Sequence, residues 1–114
     1  MMTRRGIAQH FENEFPALAA LPWDERAEAW LVAANDGVGV WVAPLMFTSA
    51  VIVGPVGDHY YDDRWCYTGP LAALDAARAW GGPWNGGEPT GWHRHPGTGR
   101  RREDGDPERE TVMP

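Results

Sequence analysis

Side chains able to do chemistry are densest at residues 91–102, GWHRHPGTGRRR, where His93 and His95 stand one residue apart in a 114-residue chain. Imidazole binds zinc, and a zinc site needs three or four N, S or O ligands converging at about 2.0–2.3 Å. His59, Cys66, Asp62 and Asp63 are the other donors on offer. Their spacing matches neither a CxxC nor an HExxH pattern, so the expectation is no metal and no cofactor, with both histidines as exposed loop residues. Cys66 as a nucleophile would need a cation or histidine to lower its pKa, and Arg64 is its only sequence neighbour of that kind. A half-buried structural thiol is the expectation. Asp62 and Asp63 are adjacent in an extended stretch, where successive side chains point to opposite faces, so they do not form a catalytic carboxylate pair.

The same block joins Trp92 to Arg94, Arg100, Arg101 and Arg102. Arginine on phosphate with an aromatic ring under a base is a nucleic-acid signature. A tryptophan among arginines is equally the composition of a protein-binding hot spot. Five acids, Glu103, Asp104, Asp106, Glu108 and Glu110, follow at once and partly cancel the charge. A folded-back arm, with Trp92 covering apolar surface, therefore stands beside the binding reading. The candidate partner-binding residues are Trp92, His93, Arg94, His95, Arg100, Arg101 and Arg102.

The elements that must position these groups follow from periodicity. Ile7, Phe11 and Phe15 recur every four residues, and Thr3 can cap, so a short amphipathic helix is expected over 3–15, ended by Pro16. Residues 16–21, PALAAL, add a further short turn. Residues 24–34 read either as an Ala-rich helix capped by Asp24 or as a strand; Asn35-Asp36-Gly37 followed by VGVWVAPL favours a hairpin, with strands near 28–34 and 38–43. FTSAVIVGPVG, 47–57, is a third strand and HYYDDRWCY, 59–67, a fourth. Thr68-Gly69-Pro70 opens a helix over 70–80 whose Ala73, Leu74, Ala76, Ala77 and Trp80 share one arc, with Asp75 and Arg78 opposite. From 81 onward Gly and Pro exclude helix and central strand.

Seven tryptophans are many for this length. Trp30, Trp41, Trp65 and Trp80 fall in expected elements and read as core, Trp23 and Trp84 as loop anchors, and Trp92 as a partner contact. All ten basic residues are arginine, which fits GC-rich coding. The formal charge of −6 argues against a general nucleic-acid coat, though not against a local basic site. No apolar run approaches the length needed to span a bilayer, no secretion signal is evident, and one cysteine fits a reducing compartment, so a cytoplasmic protein is expected.

The string DDRWCY, the Ala-rich helix ending in AWGG, and the later EPTGWHRHPGTGRRREDGDP resemble small uncharacterised proteins of actinobacteria and their phages. The resemblance spans about residues 38–110, and its C-terminal half is the specific part. Relatives of this type carry an aromatic in a Glu-Tyr-Val string where this chain has Glu110-Thr111-Val112. The resemblance implies a source, and through it an accessory or host-interaction role rather than a metabolic reaction.

The fold class expected is α+β: a small antiparallel sheet of three or four strands, one packed helix, a short N-terminal helix and an irregular C-terminal arm. Residues 1–82 would form the globular domain and 83–114 the arm. The function expected is non-catalytic, an accessory protein binding a host or phage protein. A nucleic-acid-binding module using the Trp/His/Arg arm, and a small metal-dependent enzyme centred on His93 and His95, are the alternatives. No membrane association is expected.

Overall fold

Helix α1, Arg4–Glu14, starts where Thr3 turns its hydroxyl back to accept from the Gly6 amide at 3.0 Å. It ends before Pro16, which opens the single-turn helix α2, Pro16–Ala19. The computed structural model describes residues 3–44, 48–57, 63–92 and 108–109. Two-residue strand β1, Trp23–Asp24, leads into β2, Ala29–Asn35, and β3, Val38–Pro44. Strands β4, Ser49–Pro55, and β5, Asp63–Tyr67, follow, and then helix α3, Pro70–Trp80. A further two-residue strand, β6, is Glu108–Arg109.

The ambiguity at 24–34 resolves as strand. Asp36 and Gly37, at φ 53° and 80°, form the tight turn between β2 and β3, in the left-handed region that Asp tolerates and Gly prefers. The sheet runs β1-β2-β3-β4-β5-β6 in chain order. The first five strands are antiparallel, and β6 lies parallel to β5. The α+β expectation holds, and the sheet exceeds three or four strands by one two-residue strand at each edge. Such short edge pairs carry no hydrophobic periodicity, so pattern reading passes over them.

Both faces of the sheet are apolar. A row across one face, Trp30, Val42, Val51 and Trp65, is set by the register of four successive strands and packs with Ala73, Leu74 and Ala77 of α3. Ala8 of α1 and Leu18 of α2 complete this principal core. The register slips between Leu31 and Ala33, and this bulge lets both Val32 and Ala33 pack on the same core. On the opposite face Ala29, Trp41, Ala43, Ala50 and Ile52 make a second cluster. The turn after β1 closes over it. Asp24 accepts from the Trp41 indole N–H at 3.1 Å, Ala27 packs on the cluster, and the Arg26 guanidinium donates to the Gly57 carbonyl.

α1 is fastened by one carboxylate. Glu12 Oε2 accepts from Arg5 at 3.0 Å and from the indole N–H of buried Trp30 at 2.8 Å. The Arg5 guanidinium also lies over the Trp23 ring, 4.9 Å from its centroid, and Trp23 meets Trp30 edge-on at 5.6 Å. Trp23, expected in a loop, lies instead in β1, paired with Trp30, and packs against the principal core.

Candidate functional site

After α3 the chain doubles back across the end of the sheet. The Gly81 amide closes the last helical turn on the Ala77 carbonyl, and a 3-10 turn, Pro83–Asn85, reverses direction. Three side chains tie this return down. Trp80 donates its indole N–H to the Gly86 carbonyl at 2.9 Å, and Asn85 donates to the Trp80 carbonyl at 2.7 Å. Tyr67 donates its hydroxyl to the Thr90 carbonyl at 2.8 Å. The bonds to Gly86 and Thr90 satisfy carbonyls of the irregular segment, and that to Trp80 satisfies a carbonyl at the end of α3. Pro89 is buried, and Trp92, 8% exposed, belongs to the principal core. Both residues fall in the stretch that the sequence reading assigns to the C-terminal arm.

This return segment and α3 leave an open groove of about 280 Å³ between them. Tyr67 of β5 forms its floor, Ala72, Asp75, Ala76 and Ala79 one wall, and Thr90 with Gly91 the other. The helical wall exists because exposed Ala72 and Ala79 extend the small-residue surface of α3 beyond the arc that meets the sheet, where Ala76 is buried. Asp75 projects from that wall, exposed, with no hydrogen bond or ion pair to any described residue. Burial holds the Tyr67 hydroxyl well above its ordinary pKa, and the nearby Glu88 charge adds to the effect. Among the described residues that line the groove, Asp75 is the one with a charged side chain.

Of the candidate binding residues, only Trp92 is described. Its ring packs in the principal core, as the folded-back reading of the arm expects. His93, Arg94, His95, Arg100, Arg101 and Arg102 lie outside the described residues. Cys66 is 1% exposed, more deeply buried than expected and out of reach of a substrate. His59 and Asp62 lie outside the described residues. Among the described residues no three of His, Cys, Asp or Glu gather to hold a metal. No described helix is long and apolar enough to cross a membrane. Trp84, expected as an anchor, is 39% exposed on the 3-10 turn.

Sequence reasoning places Tyr67, Thr90 and Gly91 in no site and reads Asp75 as a solvated position. The available signal is alanine at 72 and 79, on the side of α3 away from the sheet, where a helix serving only the core would carry polar residues. No protein-family model matches the chain, and no curated protein or solved structure matches it either.

Proposed function

We propose that this chain is a non-catalytic accessory protein that binds a protein partner along the face built by α3 and the return segment. The observation that carries the reading is the open groove over Tyr67, walled by alanines and by an Asp75 that has no partner among the described residues. Small side chains on an exposed helix wall permit close approach of a second surface, and the fixed return segment presents the opposite wall without an ordering cost on binding. His93, Arg94, His95, Arg100, Arg101 and Arg102 come after Trp92 in the sequence, and we propose that they contribute to partner contact. The sequence resemblance supplies the proposed setting, an actinobacterial cell or its phage, with a host protein as the partner and the cytoplasm as the place.

Immobilised protein exposed to an actinobacterial lysate tests this reading. A protein retained by the wild type and by Glu25→Gln, a remote exposed control, and lost with Ala79→Arg, supports the groove as the contact. Equal retention by Ala79→Arg overturns it, provided circular dichroism shows the variant folded.

A further inference from the structure

The return segment carries a reactive pair, Asn85 followed by Gly86, at the end of its 3-10 turn. The backbone nitrogen that follows an asparagine can attack its side-chain amide carbon, and glycine supplies that nitrogen with no side chain to hinder the approach. Both residues are exposed, so water reaches them. In the folded chain each reactant is held in a hydrogen bond. The Gly86 N–H donates to the Pro83 carbonyl at 3.0 Å, and Asn85 Nδ2 donates to the Trp80 carbonyl at 2.7 Å. A Cβ on Gly81 would clash with Asn85 Nδ2, so the amide sits directly on the last turn of α3. There it satisfies one of the carbonyls that a helix leaves unpaired at its C-terminus. A donor suits that end. A carboxylate does not, because it only accepts hydrogen bonds and meets the negative pole of the helix dipole.

We infer that Asn85 is a modification site: it converts to aspartate and isoaspartate when the return segment opens, and the conversion then keeps the segment from closing again. Opening frees both groups. The Gly86 nitrogen gives its proton to water and bonds to Asn85 Cγ. The Cγ–Nδ2 bond breaks, ammonia leaves, and a succinimide ring remains. Water opens the ring at either carbonyl, giving aspartate or, with the main chain rerouted through the side chain, isoaspartate. Water is the only co-reactant. The product has lost the donor that bonded the Trp80 carbonyl and sets a negative charge in its place. This chemistry is independent of the docking role, but it acts on the same face, since the return segment forms one wall of the groove.

The test is peptide mapping of the full chain aged at neutral pH. Cleavage after arginine releases residues 79–94, in which Asn85 is the one side-chain amide, so a mass gain there reports its conversion alone. Labelling by an isoaspartyl methyltransferase identifies the isoaspartate. Conversion is expected to be fast in the chain unfolded by guanidinium chloride and slow in the folded chain. Trp80→Phe removes the indole bond to the Gly86 carbonyl and leaves the backbone acceptor of Asn85 in place. It is expected to speed conversion in the folded chain about two- to ten-fold, the factor by which losing one hydrogen bond raises the open population. Asn85→Asp, which installs the direct product, should lower the hydrogen-exchange protection of the Gly81 and Gly86 amides. No conversion in the unfolded chain removes the site. Equal rates in folded and unfolded chains, or a rate unchanged by Trp80→Phe, overturn control by opening of the segment. Full protection of both amides in Asn85→Asp overturns the one-way release.

Discussion

Trp80 of α3 stands edge-on to Trp65 of β5, ring centroids 5.2 Å apart and planes at 72°. The pair joins helix to sheet at the end where the return segment begins. Both indole N–H groups then bond that segment, Trp65 to Glu88 Oε2 at 3.4 Å and Trp80 to the Gly86 carbonyl at 2.9 Å. Aromatic pairs in this geometry contribute about 0.5–1.5 kcal/mol beyond their buried area.

Trp65→Ala is expected to destabilise the fold by about 3–5 kcal/mol, because the buried ring leaves a cavity between strand and helix. Chemical denaturation followed by circular dichroism checks this. An unchanged midpoint would mean the ring does not pack as described. Trp80 is only half-buried, so Trp80→Ala should cost less.

The second apolar face offers a sharper steric test. A methyl group placed on Gly39 would lie 2.4 Å from the Trp41 ring. That ring is 3% exposed and held by Asp24, so it has little freedom to yield. Gly39→Ala is expected to cost about 1–3 kcal/mol, the range of overpacking in a filled core. Adding Trp41→Phe, which removes the crowding atoms, should return part of the loss, and a double-mutant cycle measures that coupling.

Glu12 sets an acid limit on α1. Its hydrogen bond from Arg5, and then that from Trp30, hold the carboxyl below the ordinary glutamate value, against the opposing effect of burial. A depressed folded-state pKa stabilises above the unfolded value, about 4.3, and that stabilisation disappears as pH falls through the folded pKa. The Tm of wild type should therefore exceed that of Glu12→Gln at pH 7, with the gap closing below about pH 4. A gap constant down to pH 2 would exclude ionised Glu12 as its source.

Tyr67 sets the alkaline counterpart. Its raised pKa means that the folded state holds the phenol proton more tightly than the unfolded chain does. The resulting stability is present below the unfolded value, about 10, and is lost as pH rises toward the folded pKa. In an ultraviolet titration of the folded protein, Tyr67→Phe should leave the absorbance step near pH 10 unchanged, because Tyr67 does not contribute to it. Loss of its hydroxyl, bonded to the Thr90 carbonyl, should cost about 1 kcal/mol at neutral pH.

Much of the fold is legible in the sequence because its signals are local. Thr3, Pro16, Asp36-Gly37 and Gly69-Pro70 mark starts, stops and turns by backbone preference, and each stands at a boundary in the structure. Two features are not legible. Periodicity groups Trp41 with Trp30, Trp65 and Trp80, yet it lies on the opposite face, against Ala29, Ala43, Ala50 and Ile52. Alternation along one strand separates its two faces but does not tell which of them is covered. The groove is hidden because its parts come from β5, α3 and the return segment, far apart in sequence. The bond from Tyr67 to Thr90 fixes their spacing, and no periodicity encodes it.

The unbroken strand order has a consequence for how the chain reaches this structure. From β1 to β5 each strand pairs with its predecessor in sequence, so every new pairing closes only the loop between consecutive strands. Short loops lose little chain entropy on closure, and topologies built from local contacts fold fast for their size. The pairing of Trp65 with Arg109 breaks the pattern, since it must enclose all of α3 and the return segment. The meander can assemble before that edge is added. Substitutions at Asp36-Gly37 should then act on the folding rate, and substitutions at Glu108 or Arg109 on the unfolding rate alone.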